Sequence, residues 1–312
     1  MQKDSRVYVA GHNGLVGSAI VRALESSGYT NLILCNRSAL DLLDQVDVEM
    51  FFREQKPEYV FLAAAKVGGI KANNDYPAEF IYENLQIQTN VIHSAYKHGT
   101  KKLLLLGSSC IYPNTYTDAI GEDKLLAGNL EPTNQWYAIA KIAGIYMGRA
   151  YRRQYGLDVI AAMPTNLYGP NDDYDPLKSH VLPAMIQRFH NAKVNNLPLV
   201  DCWGTGTPRR EFLHVDDCAE ASIFLMENYS DEGIVNVGYG SDVTIAELAA
   251  TVAKVVGYRG AITWDPTKPD GTMRKLIDSS KLFNMGWKPK MGLVEGITAT
   301  YPDFIARVVK PE

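Results

Sequence analysis

Short, unbroken apolar runs alternate with longer amphipathic segments along the first half of the chain. Unbroken runs are typical of parallel strands that helices cover on both faces. Apolar positions three and four residues apart predict helices between them. The alternation therefore predicts an α/β fold with a doubly wound parallel sheet. The predicted strands are Arg6–Ala10, Asn31–Asn36, Tyr59–Ala63, Leu103–Leu106 and Asp158–Met163.

The pattern changes after Gly169, where the elements become shorter and less regular. We expect residues 1–169 to form the sheet domain. Residues 170–312 are expected to form mainly a smaller α+β substrate-binding domain, with some segments returning to the first. The predicted elements of this half are helices 181–193, 215–226, 245–255 and 294–308 and a strand at 234–237.

A glycine motif lies between the first predicted strand and the first predicted helix. Gly11 permits a tight turn, Gly14 lets backbone approach a pyrophosphate, and Gly17 lets helix and strand pack closely. The phosphates would lie at the helix N-terminus. This context predicts a Rossmann dinucleotide site that also includes His12, Asn13, Leu15 and Val16.

The residues after the second strand indicate which dinucleotide binds. An NAD site usually has Asp or Glu there to hold the ribose 2′-hydroxyl. This chain has Asn36 and Arg37, and a guanidinium suits a 2′-phosphate. We therefore predict NADP (as NADPH). There are two alternatives: Arg37 is only a solvated loop residue, or Asp41 is the acid that binds the ribose.

Several further polar or small segments directly follow predicted strands. Ligands of open α/β sheets bind beyond the carboxyl ends of the strands, so these segments should share one crevice. The cofactor-binding residues predicted on this basis are Ala63, Ala64, Ala65, Leu106, Gly107, Ser108, Ser109, Pro164, Thr165, Asn166 and Leu167.

Tyr137 and Lys141 are four residues apart in a predicted helix, so both can point into the same cleft. A cation about 4 Å from a phenolate is worth roughly 4 kcal/mol at an effective dielectric near 20. That would bring the pKa of a tyrosine from about 10 towards about 7. Such a pair could exchange protons with a ketone or alcohol. The alternative is one core tyrosine and one solvated lysine.

Composition narrows the possible partners. The 312-residue chain has a net charge of −4 and no basic stripe, which argues against nucleic acid. We expect no membrane partner, since no apolar run is long enough to span a bilayer and no signal peptide is recognisable. The four cysteines have neither paired nor metal-like spacing, so we expect no metal and a cytoplasmic location.

These motifs together resemble the extended short-chain dehydrogenase/reductase family. The resemblance rests on the three glycines, Ser108, Tyr137 with Lys141, and the stretch 210–217. Longer blocks at 107–113, 131–134, 163–170 and 203–208 are similar to its members that act on GDP-sugars. The resemblance implies a homodimer whose substrate is GDP-4-keto-6-deoxy-D-mannose. Carbons 3 and 5 would be epimerised and the 4-keto group reduced, giving GDP-L-fucose.

The same resemblance implies roles for individual residues. Ser108, Tyr137 and Lys141 would serve the reduction, while Cys110 and His180 would move the protons of epimerisation; His180 would also contact the cofactor. A water-eliminating enzyme would carry an Asp-Glu pair where this chain has Cys110. From the residues alone, Cys110 could equally be a small buried apolar residue and His180 a helix cap.

Candidate substrate ligands lie in the second half. Arginine forks match phosphate oxygens, so Arg210 and then Arg188 are the candidates for the diphosphate. The resemblance adds Trp203 over the sugar or base and Asp270 on the ribose. Packing between domains is the alternative for Trp203.

Two other functions are open to this sequence. One is a nucleotide-sugar 4-epimerase that holds NAD tightly, although Arg37 and Cys110 count against it. The other is an NADP-binding sensor without chemistry, which would have no use for Ser108, Tyr137 and Lys141. Consumption of NADPH on addition of the keto sugar separates both from a reductase.

Overall fold

The computed structural model describes residues 1–175, 179–268 and 270–309, so positions 176–178, 269 and 310–312 of the predicted second domain lie outside it. The strands are β1 (Val7–Ala10), β2 (Leu32–Ile33), β3 (Tyr59–Leu62), β4 (Lys102–Leu106), β5 (Asp158–Pro164), β6 (Asn166–Tyr168), β7 (Leu199–Trp203), β8 (Arg209–His214), β9 (Ile234–Val237), β10 (Asp242–Thr244), β11 (Ala261–Asp265) and β12 (Arg274–Lys275). The helices are α1 (Leu15–Ser26), α2 (Gln45–Gln55), α3 (Ile70–Asp75), α4 (Pro77–Lys97), α5 (Gln135–Tyr155), α6 (Val181–Val194), α7 (Val215–Asn228), α8 (Ile245–Val256), α9 (Ser280–Asn284) and α10 (Leu293–Val308).

The central element is a six-stranded parallel sheet of order β2-β1-β3-β4-β5-β9. This confirms the predicted doubly wound α/β fold. β9 comes from the second half of the chain and pairs with β5. The strand order reverses at β1, so the carboxyl end of β1 lies at the topological switch point where such sheets bind ligands.

Side chains of the sheet alternate between two apolar cores because successive residues of a strand point to opposite faces. Val7 and Val9 of β1 pack towards α1 and α7, while Tyr8 and Ala10 pack on the side of α2, α4 and α5. Burying each large apolar side chain contributes roughly 1.5–3 kcal/mol. The two layers of helices thus hold the carboxyl ends of the strands in one rigid edge.

The smaller part of the molecule is built around β8. This strand pairs with β10, β12 and β6, and a separate parallel pair joins β11 to β7. A third apolar core lies among α6, α8 and α10. The mixed helices and strands agree with the predicted α+β character of this half.

The second strand and the segment that follows it differ from expectation. The second strand is only Leu32–Ile33, not Asn31–Asn36, because β2 is an edge strand and the chain soon turns away. In that turn the Asn36 Oδ1 accepts hydrogen bonds from Ser38 Oγ at 2.8 Å and Ala39 N at 3.1 Å. Helix α2 was not predicted; Asp44 caps it by accepting from Val46 N at 2.7 Å.

Candidate active site

The glycine turn between β1 and α1 forms a cradle for an anion. Gly11 has φ +84°, and a Cβ there would lie 2.7 Å from Ala64 N. A Cβ on Gly17 would lie 2.0 Å from Gly11 O, so both positions require glycine. Gly14 precedes α1 without a side-chain cap, which leaves the first helical amides open to a ligand. The cradle fits the pyrophosphate of a dinucleotide.

The other predicted cofactor segments lie along the same edge of the sheet. Ala63 N donates to Ala10 O at 3.0 Å, directly beside the glycine turn. Gly107 N donates to Ala162 O at 2.8 Å, which holds the segment Leu106–Ser109 against the end of β5. Pro164–Leu167 continues from β5. The structure thus brings together the strand-end segments that the sequence pattern predicts to share a crevice.

Arg37 lies just beyond β2 with its side chain 73% exposed. Its Nε is 3.9 Å from Asp41 Oδ1, a surface pair that contributes little. The neighbouring Asn36 uses its side-chain oxygen within the turn. The guanidinium therefore keeps donors available for a ligand phosphate near the end of β2.

Tyr137 and Lys141 lie one turn apart near the start of α5. Lys141 is buried, and its Nζ donates to Leu106 O at 2.8 Å and lies 5.7 Å from the centroid of the Tyr137 ring. The Tyr137 hydroxyl forms a hydrogen bond with Ser108. Ser108 is half-exposed whereas Ser109 is buried, which favours Ser108 as the serine that faces the cleft.

The predicted lowering of the Tyr137 pKa is wrong for this structure. Burial raises the pKa of Tyr137 above its usual value, the nearby Cys110 raises it further, and the bond with Ser108 opposes both. Burial also lowers the pKa of Lys141 to about 8. Helical spacing brought the two side chains together correctly, but it carried no information on how strongly the protein desolvates them. Tyr137 is therefore a protonated phenol at neutral pH.

Cys110 lies in a short 3-10 turn, Ser109–Ile111, directly after β4. Its backbone N donates to Ser108 Oγ at 3.2 Å, and Asn134 Nδ2 donates to its Sγ at 3.4 Å. Lys275 Nζ of β12 lies 3.8 Å from the same sulfur. The half-buried thiol thus lies close to Tyr137 and has hydrogen-bond donors of Asn134 and Lys275 directed at its sulfur.

Sequence reasoning gave no role to Lys275 or Asn134. Asn134 is the last residue of the block 131–134, which contributes to the family resemblance. It directly precedes α5, and its Nδ2 donates to the Cys110 sulfur. Lys275 is separated from Cys110 by 165 positions along the chain. No spacing rule connects residues so far apart, so only the pairing of β12 with β8 could have indicated that lysine.

His180 directly precedes α6, and its side chain makes no capping bond with that helix. The residue is exposed as a whole, yet desolvation of its ring lowers its pKa. The charge of Asp173 acts in the opposite direction. The net result is a pKa below the usual value, so the uncharged imidazole is favoured in this structure.

The four predicted substrate residues gather around the β7–β8 connection. Asp270 accepts from Thr205 N at 2.7 Å and from Thr205 Oγ1 at 2.8 Å, which ties it to the loop after Trp203. Trp203 is 66% exposed. Arg188 Nη1 donates to Asp201 O at 3.1 Å.

Arg210 lies close to the same loop. A Cβ built on Gly271, next to Asp270, would lie 3.6 Å from Arg210 Nη2. Burial lowers the pKa of Arg210, and the carboxylate of Glu131 opposes this effect. A partly buried guanidinium is well suited to a diphosphate.

Metal-binding clusters and membrane-spanning helices are absent from residues 1–175, 179–268 and 270–309. No group of three or more His, Cys, Asp or Glu side chains there could hold a metal ion. None of the helices in those ranges has the length and apolar character that crossing a bilayer requires.

The sequence matches the NAD dependent epimerase/dehydratase family over residues 7–238. That span includes the whole parallel sheet, the glycine turn and the Tyr137–Lys141 pair. The chain therefore belongs to this family, and the resemblance to extended short-chain dehydrogenases/reductases is confirmed.

The relatives are more specific. The chain is 61% identical over 310 residues to putative GDP-L-fucose synthase 2 of Arabidopsis thaliana, covering 99% of this chain and 94% of that one. It is 52% identical over 309 residues to the GDP-L-fucose synthase of Escherichia coli K12, covering 96% of each. The crystal structure of a GDP-L-fucose synthetase from Naegleria fowleri bound to NADP is similar, with a TM-score of 0.91, 25% identity and coverage of 98% and 95%.

Proposed function

We propose that this chain converts GDP-4-keto-6-deoxy-D-mannose to GDP-L-fucose, by epimerisation at carbons 3 and 5 and NADPH-dependent reduction at carbon 4. One observation carries the proposal: a thiol, Cys110, lies beside Ser108 and Tyr137, directly after the carboxyl end of β4. A reductase alone needs no thiol there. Addition of the keto sugar nucleotide should consume NADPH, whereas a tightly NAD-bound epimerase or a sensor would consume none.

NADPH, when bound, supplies the hydride that carbon 4 accepts. The glycine cradle fits its pyrophosphate, and Arg37 offers donors to its 2′-phosphate. The residues that we propose to hold it are Gly11, His12, Asn13, Gly14, Leu15, Val16, Gly17, Asn36, Arg37, Ala63, Ala64, Ala65, Leu106, Gly107, Ser108, Ser109, Tyr137, Lys141, Pro164, Thr165, Asn166, Leu167 and His180.

Epimerisation moves protons beside the ketone. The Cys110 sulfur takes the proton of carbon 3, and the C–H electrons pass into an enolate whose oxygen accepts hydrogen bonds from Ser108 and Tyr137. The His180 imidazolium returns a proton to the opposite face, which inverts the carbon. Cys110 then releases its proton to solvent, His180 regains one, and the same cycle inverts carbon 5.

Reduction needs a proton as well as a hydride, so a protonated Tyr137 is the useful form. The raised pKa of its phenol keeps that proton in place until the oxygen at carbon 4 becomes basic. The Lys141 ammonium, 5.7 Å from the ring centroid, then stabilises the tyrosinate that remains. Lys141 thus acts after proton transfer rather than on the resting tyrosine.

We assign the sugar nucleotide to the loop after β7. Arg210 and Arg188 would bind the diphosphate, Asp270 the ribose, and the exposed Trp203 ring would cover the sugar or base. In this proposal, residues 1–169 bind the cofactor and residues 170–312 bind most of the sugar nucleotide. Four free thiols in the described chain support a reducing, cytoplasmic location.

An Arg37→Ala enzyme should bind NADPH about tenfold or more weakly, because a charged hydrogen bond to phosphate is worth about 1.5–3 kcal/mol. Its affinity for NADH should stay unchanged. Fluorescence titration of both cofactors measures the two effects. Arg53→Ala removes another exposed arginine and serves as the matched control. Equal losses for NADPH and NADH would show that Arg37 does not read the 2′-phosphate.

We further propose a homodimer formed through α4 and α5, which pack against each other outside the sheet. An exposed stripe on α5 includes Ile139 and Tyr146, which are seven residues apart and so share a face. Tyr82 of α4 is 60% exposed. A second copy of the chain would cover these apolar side chains.

The double variant Ile139→Glu, Tyr146→Glu should be a folded monomer, because two buried charges on each side of a symmetric interface are costly. Light scattering coupled to size exclusion measures the mass. Met50→Glu on α2 is the control, since Met50 is also exposed and apolar. A wild-type monomer, or a double variant that stays dimeric, contradicts this interface.

A further inference from the structure

The surroundings of Cys110 hold a positive charge that the proposed chemistry has not used. Three elements face the sulfur: its own turn with Ser108, α5 with Asn134 and Tyr137, and β12 with Lys275. Lys275 is the cation whose Nζ comes within 3.8 Å of the Sγ. The other three offer neutral hydroxyl or amide groups at neutral pH.

Lys275 is held in place by its neighbours in the chain. The segment pairs with β8, with Lys275 opposite Arg210. On one side, Arg274 Nε donates to Asp242 Oδ2 at 2.5 Å. On the other, Ile277 N donates to Glu211 Oε2 at 3.2 Å. A two-residue strand anchored at both ends gives the lysine backbone little freedom to move away from the thiol.

The Glu211 anchor is itself fixed. Its side chain is fully buried, and its Oε1 accepts from Gly240 N at 2.8 Å while its Oε2 accepts from Ile277 N. Burial raises the pKa of this carboxyl, and the backbone donors oppose that effect. Glu211 therefore holds the segment after β12 against β8, and both of its carboxylate oxygens accept hydrogen bonds from backbone amides.

Lys275 has no carboxylate partner within ion-pair distance in the ranges that the structure describes. The carboxylates that anchor this segment are engaged with other groups: Asp242 with Arg209 and Arg274, and Glu211 with backbone amides. Glu131 accepts from Thr272 Oγ1 at 3.2 Å. A half-buried ammonium without an acidic partner gains most from an anion at the position it faces. That position is the Cys110 sulfur.

We propose that Lys275 is the positioning residue that holds Cys110 as a thiolate, so that the sulfur is ready to take the protons of carbons 3 and 5. This role rests on the proposed epimerisation. The thiolate, not the thiol, is the base, and a neighbouring ammonium favours it. In each cycle the sulfur changes from thiolate to thiol as it takes the proton, and it becomes a thiolate again when it releases that proton to solvent.

The test compares the alkylation of Cys110 by iodoacetamide in the wild type, Lys275→Met and Lys275→Arg, over a range of pH. Alkylation at pH 7 should be at least tenfold slower in Lys275→Met, with its pH profile moved to higher pH. Lys275→Arg should recover most of the rate because it restores a cation. Lys288→Met, which removes an exposed lysine, is the control, and mass spectrometry identifies the modified cysteine.

A second readout separates this inference from the proposed function. Deuterium wash-in at carbons 3 and 5 should fall in Lys275→Met as the alkylation rate does, with NADPH affinity unchanged. A wild-type alkylation profile in a folded Lys275→Met overturns the inference, and a raised KM alone would make Lys275 a substrate ligand. The two readouts can also disagree. If alkylation is slowed in Lys275→Met but the wild type shows no deuterium wash-in, the lysine–thiolate pair is supported and the proposed epimerase activity is overturned.

Discussion

A Tyr137→Phe enzyme is expected to reduce the keto sugar about 10²–10⁴ times more slowly than the wild type, the usual contribution of a positioned acid. Phenylalanine retains the packing of the ring against Phe80, 6.5 Å away between centroids, but has no proton to give. The loss should appear in kcat, since the hydroxyl acts on the developing alkoxide. Stopped-flow consumption of NADPH measures it.

The matched control is Tyr146→Phe, which removes a hydroxyl from an exposed tyrosine of the same helix. It should keep the wild-type rate. Titration of the Tyr137→Phe protein should also give an NADPH affinity within about twofold of the wild type. A Tyr137→Phe enzyme with a near wild-type kcat would show that another group gives the proton.

A Cys110→Ser enzyme is expected to lose epimerisation by a similar factor, about 10²–10⁴, while it still binds NADPH. A serine hydroxyl is of similar size but far less acidic than a thiol, so Lys275 cannot hold it as an anion. NMR in D₂O follows the exchange of the protons on carbons 3 and 5 directly. The expected result is an exchange rate near background.

Cys35→Ser provides the comparison, because Cys35 is also a partly buried free thiol but lies near the end of β2. Exchange in that variant should match the wild type. If Cys110→Ser exchanged both protons at the normal rate, the base would be another residue. Loss of NADPH binding as well would point to a structural role for the thiol.

The parts of the fold that the sequence predicted well are those encoded by neighbouring residues. β9 is found where expected, and the glycine turn joins a strand to a helix because Gly11 and Gly17 allow an approach that a Cβ would block. Unbroken apolar runs such as Leu103–Leu106 identify buried parallel strands. Such patterns are local, so a single sequence reveals them.

Elements decided by distant contacts were harder to predict. β4 begins at Lys102, not Leu103, because that lysine is buried and its Nζ donates to carbonyls at the end of α7, including Met226 O at 2.7 Å. A lysine at this position would normally predict a solvent-exposed residue outside the strand. The length of β2 likewise depends on its having a partner on one side only.

The candidate site shows the same division. Helical spacing placed Tyr137 and Lys141 in one cleft, yet the direction of the Tyr137 pKa shift depends on burial and on Cys110, which spacing does not describe. The cation beside the thiol comes from 165 positions away. Long-range pairing, here of β12 with β8, is the information that the linear pattern lacks.

The central claim is that one site inverts two carbons and then reduces the ketone between them. Turnover of GDP-4-keto-6-deoxy-D-mannose with NADPH in D₂O, followed by NMR of the sugar, tests it most directly. We predict one NADPH oxidised per sugar and an L-fucose product carrying deuterium at carbons 3 and 5. A reduced sugar that keeps the D-manno configuration and its original protons at those carbons would contradict it.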